Sequence, residues 1–345
     1  MTNILLTGAS GFLGTYLLKD LLKTGAKVYA FSRHPRSSDT ANLKWLQADI
    51  SVEESLLRAE ILDELADIDI IIHAAALYDL TADREAHYRH NVIGTSNLLH
   101  LVRLLKTKPH FAHISSIAIA GNAEGNFDET KFDVGQGFPD AYSSTKFASE
   151  NMVRSASDIQ SRSIYRLGIV VGSSVDGSIP KIDGAYYLQR MIHMIKPFKE
   201  QIGKLKFVPM PYNESTRLYL IPVDIASQLI AELVGKVANR NGVATFHVLG
   251  GGRGVSVRRA IQTMFAHYDI PGNPFPVPKF VLRPSLFKIF RAPATGVEYL
   301  HTKWTFSSKN LEKELPDFRY PSYAHFSAKI MDYADTHFFS KEKKK

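Results

Sequence analysis

The chain has 345 residues, of which 45% are hydrophobic and 22% charged, with no cysteine and a formal net charge of +8. These ordinary globular proportions argue against global disorder, and the lack of cysteine excludes disulfides, thiolate catalysis and cysteine-ligated metals. Basic residues are scattered except in the tail 341–345, so the charge points to a phosphate-rich cofactor rather than nucleic acid.

No apolar run reaches the ~18 residues needed to span a bilayer, and no secretory leader is visible. A cytoplasmic protein without transmembrane segments is expected. In chain order, residues 4–7 read as a strand and 12–23 as a helix with Leu13, Leu17 and Leu21 on one face. Strands follow at 27–32, 43–48 and 68–73, the last nearly all apolar, as when both faces are covered. A long helix is expected at 85–106, a strand at 110–115, a helix at 142–156 and a strand at 163–167. This alternation predicts right-handed crossovers and an α/β Rossmann fold, a doubly wound parallel sheet.

The pattern weakens after residue 175. Residues 1–175 are expected to form the dinucleotide-binding core and 176–345 mainly a smaller substrate lobe. Helices are expected at 224–233 and 257–267, with a late strand at 245–248 returning to the core. The stretch 275–290 alternates large apolar residues with Lys279, Arg283 and Lys288. A core helix of the lobe is the preferred reading; an acyl-pocket roof or a membrane-touching segment is the alternative.

The first strand runs into Thr7-Gly8-Ala9-Ser10-Gly11-Phe12-Leu13-Gly14. Gly8 suits the tight turn, Gly11 the approach of a pyrophosphate and Gly14 close helix packing, with the helix N-terminus facing the phosphates. The second strand ends Ser32-Arg33, with Arg36 close behind, where an acidic residue would read a ribose 2′-hydroxyl. Arg33 suits a 2′-phosphate, which favours NADP(H) over NAD(H); a solvated arginine is the alternative. Asp49 is either an adenine contact or a turn aspartate. Ile50, Leu167 and Gly168 complete the expected cofactor set.

Tyr142 and Lys146 lie one turn apart on a predicted helix that follows the strand ending Ser115-Ser116. Carbonyl reduction needs a proton donor for the oxygen. Tyr142 is the expected acid, Lys146 the charge that lowers its pKa and holds the ribose, and Ser116 the oxygen anchor. Asn91 is either an ordinary buried or capping asparagine or part of a proton relay. His73 and His113 lack partners at metal-ligand spacing and read as structural, so no metal is expected.

Together these segments, with His73-Ala74-Ala75-Ala76, resemble the extended short-chain dehydrogenase/reductase superfamily over residues 1–260. The stretches Phe127-Asp128-Glu129, Gly135-Gln136-Gly137-Phe138, Tyr165-Arg166-Leu167-Gly168 and Lys181-Ile182-Asp183-Gly184 resemble its male-sterility or thioester-reductase branch. The resemblance implies NADPH binding, with Ala74, Ala75 and Ala76 lining the cofactor pocket and Ser116, Tyr142 and Lys146 in catalytic positions. It also implies a small-molecule substrate, an acyl-CoA or carrier-bound acyl chain among the candidates, and admits a homodimer. Leu167 stands where the family often has proline. The leading expectation is an NADPH-dependent reductase of an apolar-chain carbonyl or thioester. The alternatives are a nucleotide-sugar epimerase or dehydratase, a hydroxysteroid-type dehydrogenase, or a non-catalytic cofactor sensor.

Overall fold

A computed structural model describes residues 1–34, 40–79, 82–278 and 298–340. Seven parallel strands form one sheet: β1 (Asn3–Thr7), β2 (Lys27–Ser32), β3 (Leu43–Gln47), β4 (Ile70–His73), β5 (His110–Ser116), β6 (Ser161–Leu167) and β7 (Gly242–Val248). Their spatial order is β7-β6-β5-β4-β1-β2-β3, a doubly wound Rossmann-like arrangement. The chain winds outward in one direction from β1 and in the other from β4. The crevice at the carboxyl ends of these two neighbours is where such sheets bind ligands.

The strand sequences explain the layers. Ile4, Leu6, Ile70 and Ile72 pack on one face with Leu17 and Leu21 of helix α1 (Phe12–Lys23). Leu5 and Ile71 point the other way, into a cluster with Leu98 and Val102 of α2 (Gly94–Leu104) and Val153 of α3 (Ala141–Ser155). Alternate residues thus meet helices on opposite faces, which is why the strands read as unbroken apolar runs. In chain order α4 (Tyr186–Ile195) comes next. Then α5 (Val223–Val237) lies beside α1, burying Leu229, Ile230 and Leu233 in the first of these clusters, and feeds β7 back to the sheet edge.

The long helix expected at 85–106 is interrupted. A short helix, Arg84–His87, passes into a π-helical turn, Tyr88–Ile93, before α2 begins at Gly94. Such turns insert one extra residue per turn and re-aim side chains. Here the turn buries Asn91. The remaining C-terminal chain builds a third apolar cluster from α4, α6 (Val257–His267) and α7 (Tyr323–Ala334). The short parallel strands Phe207–Pro211 and Asn273–Val277 close its outer end. Among the described residues no helix is long and apolar enough to cross a membrane.

Candidate active site

The glycine loop is held from below. Thr7 is fully buried, and its hydroxyl accepts from the Ala75 amide at 3.1 Å and bonds His73 Nδ1 at 3.0 Å. Thr7 therefore ties the ends of β1 and β4 together and does not line the cavity described below. His73 bonds Thr95 through its other nitrogen and is kept neutral by burial, its pKa held at about 3.

Gly8 has φ +73°, and a Cβ there would meet the Ala75 amide nitrogen at 2.6 Å. A Cβ on Gly14 would meet the Gly8 carbonyl oxygen at 1.9 Å. Gly11 differs: a Cβ would find only the Gly8 oxygen, at 3.2 Å, and would otherwise stand in open space. Gly11 is also the N-cap of α1 and supplies no capping side chain. The first-turn amides are thus left for a ligand, and this cradle fits a dinucleotide pyrophosphate.

At the far end of β2, Arg33 is exposed and lines a groove of about 430 Å³ with Gln47, Ala48, Asp49 and Arg58. Arg58 was not anticipated from sequence. It donates to the Gln47 carbonyl and, at 3.3 Å, to that of Ser55, placing a second guanidinium in the groove. Asp49 accepts from the amide and hydroxyl of Ser51 at 2.9 and 2.8 Å. Burial opposes its charge, but these bonds and the charges of Arg33 and His90 outweigh it and hold its pKa below the usual range. The turn-aspartate reading describes these contacts. The Ile50 side chain packs where a Gly94 Cβ would fall, not in the groove. Ser32 is buried and Ser10 exposed, and neither lines the cavity described next. Arg36 lies outside the described residues.

One cavity of about 630 Å³ brings together Gly8, Gly11, Phe12, Leu13 and Gly14 with Ser116, Tyr142 and Lys146. Ala74, Ala76, Leu167 and Gly168 also line it; Ala75 and Asn91 do not. Asp140 caps α3 by accepting from the Ser143 amide at 2.7 Å, so Tyr142 and Lys146 sit in the first two turns of a fixed helix. Ser116 accepts from the Ala118 amide at 3.1 Å, and its hydroxyl lies close enough to Tyr142 to favour the phenolate.

Burial pushes Tyr142 up to about 12, with the Ser116 hydroxyl working the other way. Burial also pushes Lys146 down to about 8, opposed by the charge of Glu150. The expected lowering of the phenol by Lys146 is therefore not found. The Lys146 ammonium donates instead to the Ile114 carbonyl at 2.6 Å, and desolvation dominates both groups.

Asn91 spends its side chain elsewhere than on Tyr142. Its Oδ1 accepts from the Leu77 amide at 2.7 Å, and its Nδ2 donates to the Leu77 carbonyl at 3.2 Å and to Thr145 at 3.1 Å. These bonds pin the strand-to-helix segment against α3. Two further anchors were not foreseen. The Tyr299 hydroxyl donates to the second Asp140 oxygen at 2.7 Å, joining the C-terminal chain to the cap of α3. Beneath the site the fully buried Glu150 accepts from Arg166 at 2.8 Å and from Ser115 at 2.6 Å.

The far wall of the cavity is largely apolar, with Ile179, Leu188, Met191, Leu218 and Trp304. Of the stretch 275–290, residues 279–290 lie outside the described residues. Phe275 lies on an exposed strand rather than in the expected core helix.

Residues 6–230 match the sequence pattern of the male sterility protein family. The chain is 32% identical over 200 residues to the adenylate-forming reductase Nps9 of Serpula lacrymans, an alignment covering 50% of this chain and 18% of that protein. It is 25% identical over 288 residues to the L-2-aminoadipate reductase of Saccharomyces cerevisiae, covering 72% of this chain and 20% of that one. The chain thus spans about a fifth of these relatives' length. Its fold is similar to that of the terminal R domain of the myxalamid PKS-NRPS pathway, with a TM-score of 0.78 at 20% identity over 98% of this chain and 92% of that one. The chain belongs to the male sterility protein family, within the extended short-chain dehydrogenase/reductase superfamily of NAD(P)-binding oxidoreductases.

Proposed function

We propose that this chain is an NADPH-dependent reductase of a carbonyl or acyl thioester on an apolar-chain substrate, with Ser116, Tyr142 and Lys146 as its catalytic residues. The observation that carries this reading is the continuous cavity joining the glycine cradle to those three side chains and on to an apolar wall. In this reading residues 1–175, with α5 and β7, form the cofactor half, and the rest of the C-terminal chain holds the substrate.

A bound nicotinamide dinucleotide would supply the hydride. Gly8, Gly11, Gly14 and the first turn of α1 would hold its pyrophosphate, and Lys146 its nicotinamide ribose. Ser116 positions the substrate oxygen beside the Tyr142 hydroxyl. Tyr142 stays protonated across the neutral range because burial holds its pKa near 12. It gives that proton to the substrate oxygen as the carbonyl becomes an alkoxide, which is a stronger base than a phenolate. Lys146, still mostly charged at neutral pH, stabilises the phenolate left behind.

Arg33 and Arg58 would meet the 2′-phosphate. Charge-assisted hydrogen bonds of this kind contribute ~1.5–3 kcal/mol, so NADPH should bind about ten- to a hundredfold more tightly than NADH. Arg33→Asp should narrow or invert that ratio. Calorimetric titration of both cofactors decides it; equal affinities in the wild type remove Arg33 from this role.

The reading as a whole is tested by following NADPH consumption against acyl-CoAs, aldehydes, ketones and nucleotide sugars. Consumption is expected with apolar-chain thioesters, aldehydes or ketones. Conversion of a nucleotide sugar without net cofactor consumption would overturn it.

A further inference from the structure

The segment after α4 carries a surface that the catalytic reading does not use. Phe198, Leu205, Phe207 and Phe275 are exposed by 58%, 50%, 50% and 52%. Three of them fall within residues 198–207, and the fourth lies on the strand paired with that of Phe207. Phe207 and Phe275 sit on the two paired strands with ring centroids 6.1 Å apart. Their neighbours Val208, Met210 and Pro274 turn inward and are buried, so this strand pair has one face in the core and one in solvent. The Leu205 carbonyl lies against Gly272, just before the second strand. Soluble monomers seldom leave large apolar side chains grouped in this way.

The charges in the same segment have one dominant sign. Lys196, Lys199, Lys204 and Lys206 are all exposed, against the single acid Glu200. Among the described residues none of the four is paired with a carboxylate. The Lys206 ammonium stands 5.6 Å from the Phe207 ring centroid, so an apolar and a cationic contact are offered at one place.

We propose that this outer end of the C-terminal lobe docks on an anionic lipid surface, with Phe198, Leu205, Phe207 and Phe275 entering the headgroup boundary and the lysines meeting the phosphates. Apolar insertion and cationic attraction are the two components that interfacial binding requires, and the patch carries both. An acidic protein partner would use the lysines but gives no reason for two phenyl rings to project together from the solvent face of the strand pair. The patch also directly follows α4, whose Leu188 and Met191 line the apolar wall of the cavity. Passage of a membrane-borne substrate to that cavity rests on the catalytic reading; the docking does not.

The test is co-sedimentation of the full chain with vesicles of phosphatidylcholine alone and of phosphatidylcholine mixed with phosphatidylglycerol. Binding is expected to the mixed vesicles only, and it should weaken as salt rises. Each lysine near an anionic surface contributes roughly fivefold, so Lys204→Glu with Lys206→Glu should weaken partitioning by more than about tenfold. Phe207→Ser with Phe275→Ser should do the same while leaving the lysines in place. All four positions are exposed, and a thermal melt of each variant verifies folding. Failure to bind the mixed vesicles, or binding by both folded variants as strong as that of the wild type, overturns the proposal. So does patch-dependent binding of an acidic carrier domain by a chain that ignores the vesicles.

Discussion

Replacing Tyr142 by Phe should lower turnover by about 10²–10⁴-fold, the range spanned by general acid catalysis, while cofactor affinity changes little. The variant removes one oxygen. Its ring keeps the edge contacts with Tyr78 and His87, at centroid separations of 4.8 and 6.2 Å, so packing at the start of α3 survives. Ser116 keeps its hydrogen bond from the Ala118 amide. The loss should therefore fall on the chemical step, in turnover number rather than Michaelis constant. Steady-state kinetics with a substrate whose chemistry is rate-limiting measures it; near-wild-type turnover would remove Tyr142 from the acid's role.

The second large effect is on stability. Glu150 and Arg166 are both fully buried. Burial alone would raise the Glu150 pKa, but the Arg166 guanidinium, with Arg154 and Ser115, outweighs it and keeps the carboxyl ionised. Arg166 also donates to the Lys131 carbonyl at 2.8 Å and meets His247 Nε2 at 3.2 Å, so the pair ties α3, β6, β7 and the loop near Lys131 together. Glu150→Ala leaves a guanidinium buried without its counter-charge. Breaking such a pair costs about 3–5 kcal/mol, a large part of the stability of an ordinary domain. Chemical denaturation should show a midpoint shift of that size. Glu150→Gln, which keeps the shape and some hydrogen bonds, should lose less. A loss below about 1 kcal/mol in Glu150→Ala would mean that Arg166 finds water or another partner.

Much of this was legible in the sequence because it was local. The glycine loop stands between a strand and a helix that both follow simple periods, and the sheet places it beside β4 as a parallel fold requires. Tyr142 and Lys146 share a helix face by spacing alone. What was not legible depends on distant partners or on contests between opposing effects. Arg58 sits on a short connection without a periodic pattern, and only the pairing of β2 with β3 brings it beside Arg33. Tyr299 meets Asp140 across 159 residues. Asn91 lies in an amphipathic stretch that reads as regular helix, and the π-helical turn that re-aims it follows from packing. The direction of the Tyr142 shift could not be read from spacing either, because burial is its largest cause.

The most direct test of the central claim follows the hydrogen itself. NADPH carrying deuterium at the transferable position of its nicotinamide ring is mixed with enzyme and an apolar-chain aldehyde, and the product is read by mass spectrometry. The account predicts an alcohol with one deuterium on the former carbonyl carbon, formed in step with loss of label from the cofactor, and far more slowly in Tyr142→Phe. An unlabelled product, or cofactor that keeps its deuterium while substrate is converted, would contradict it.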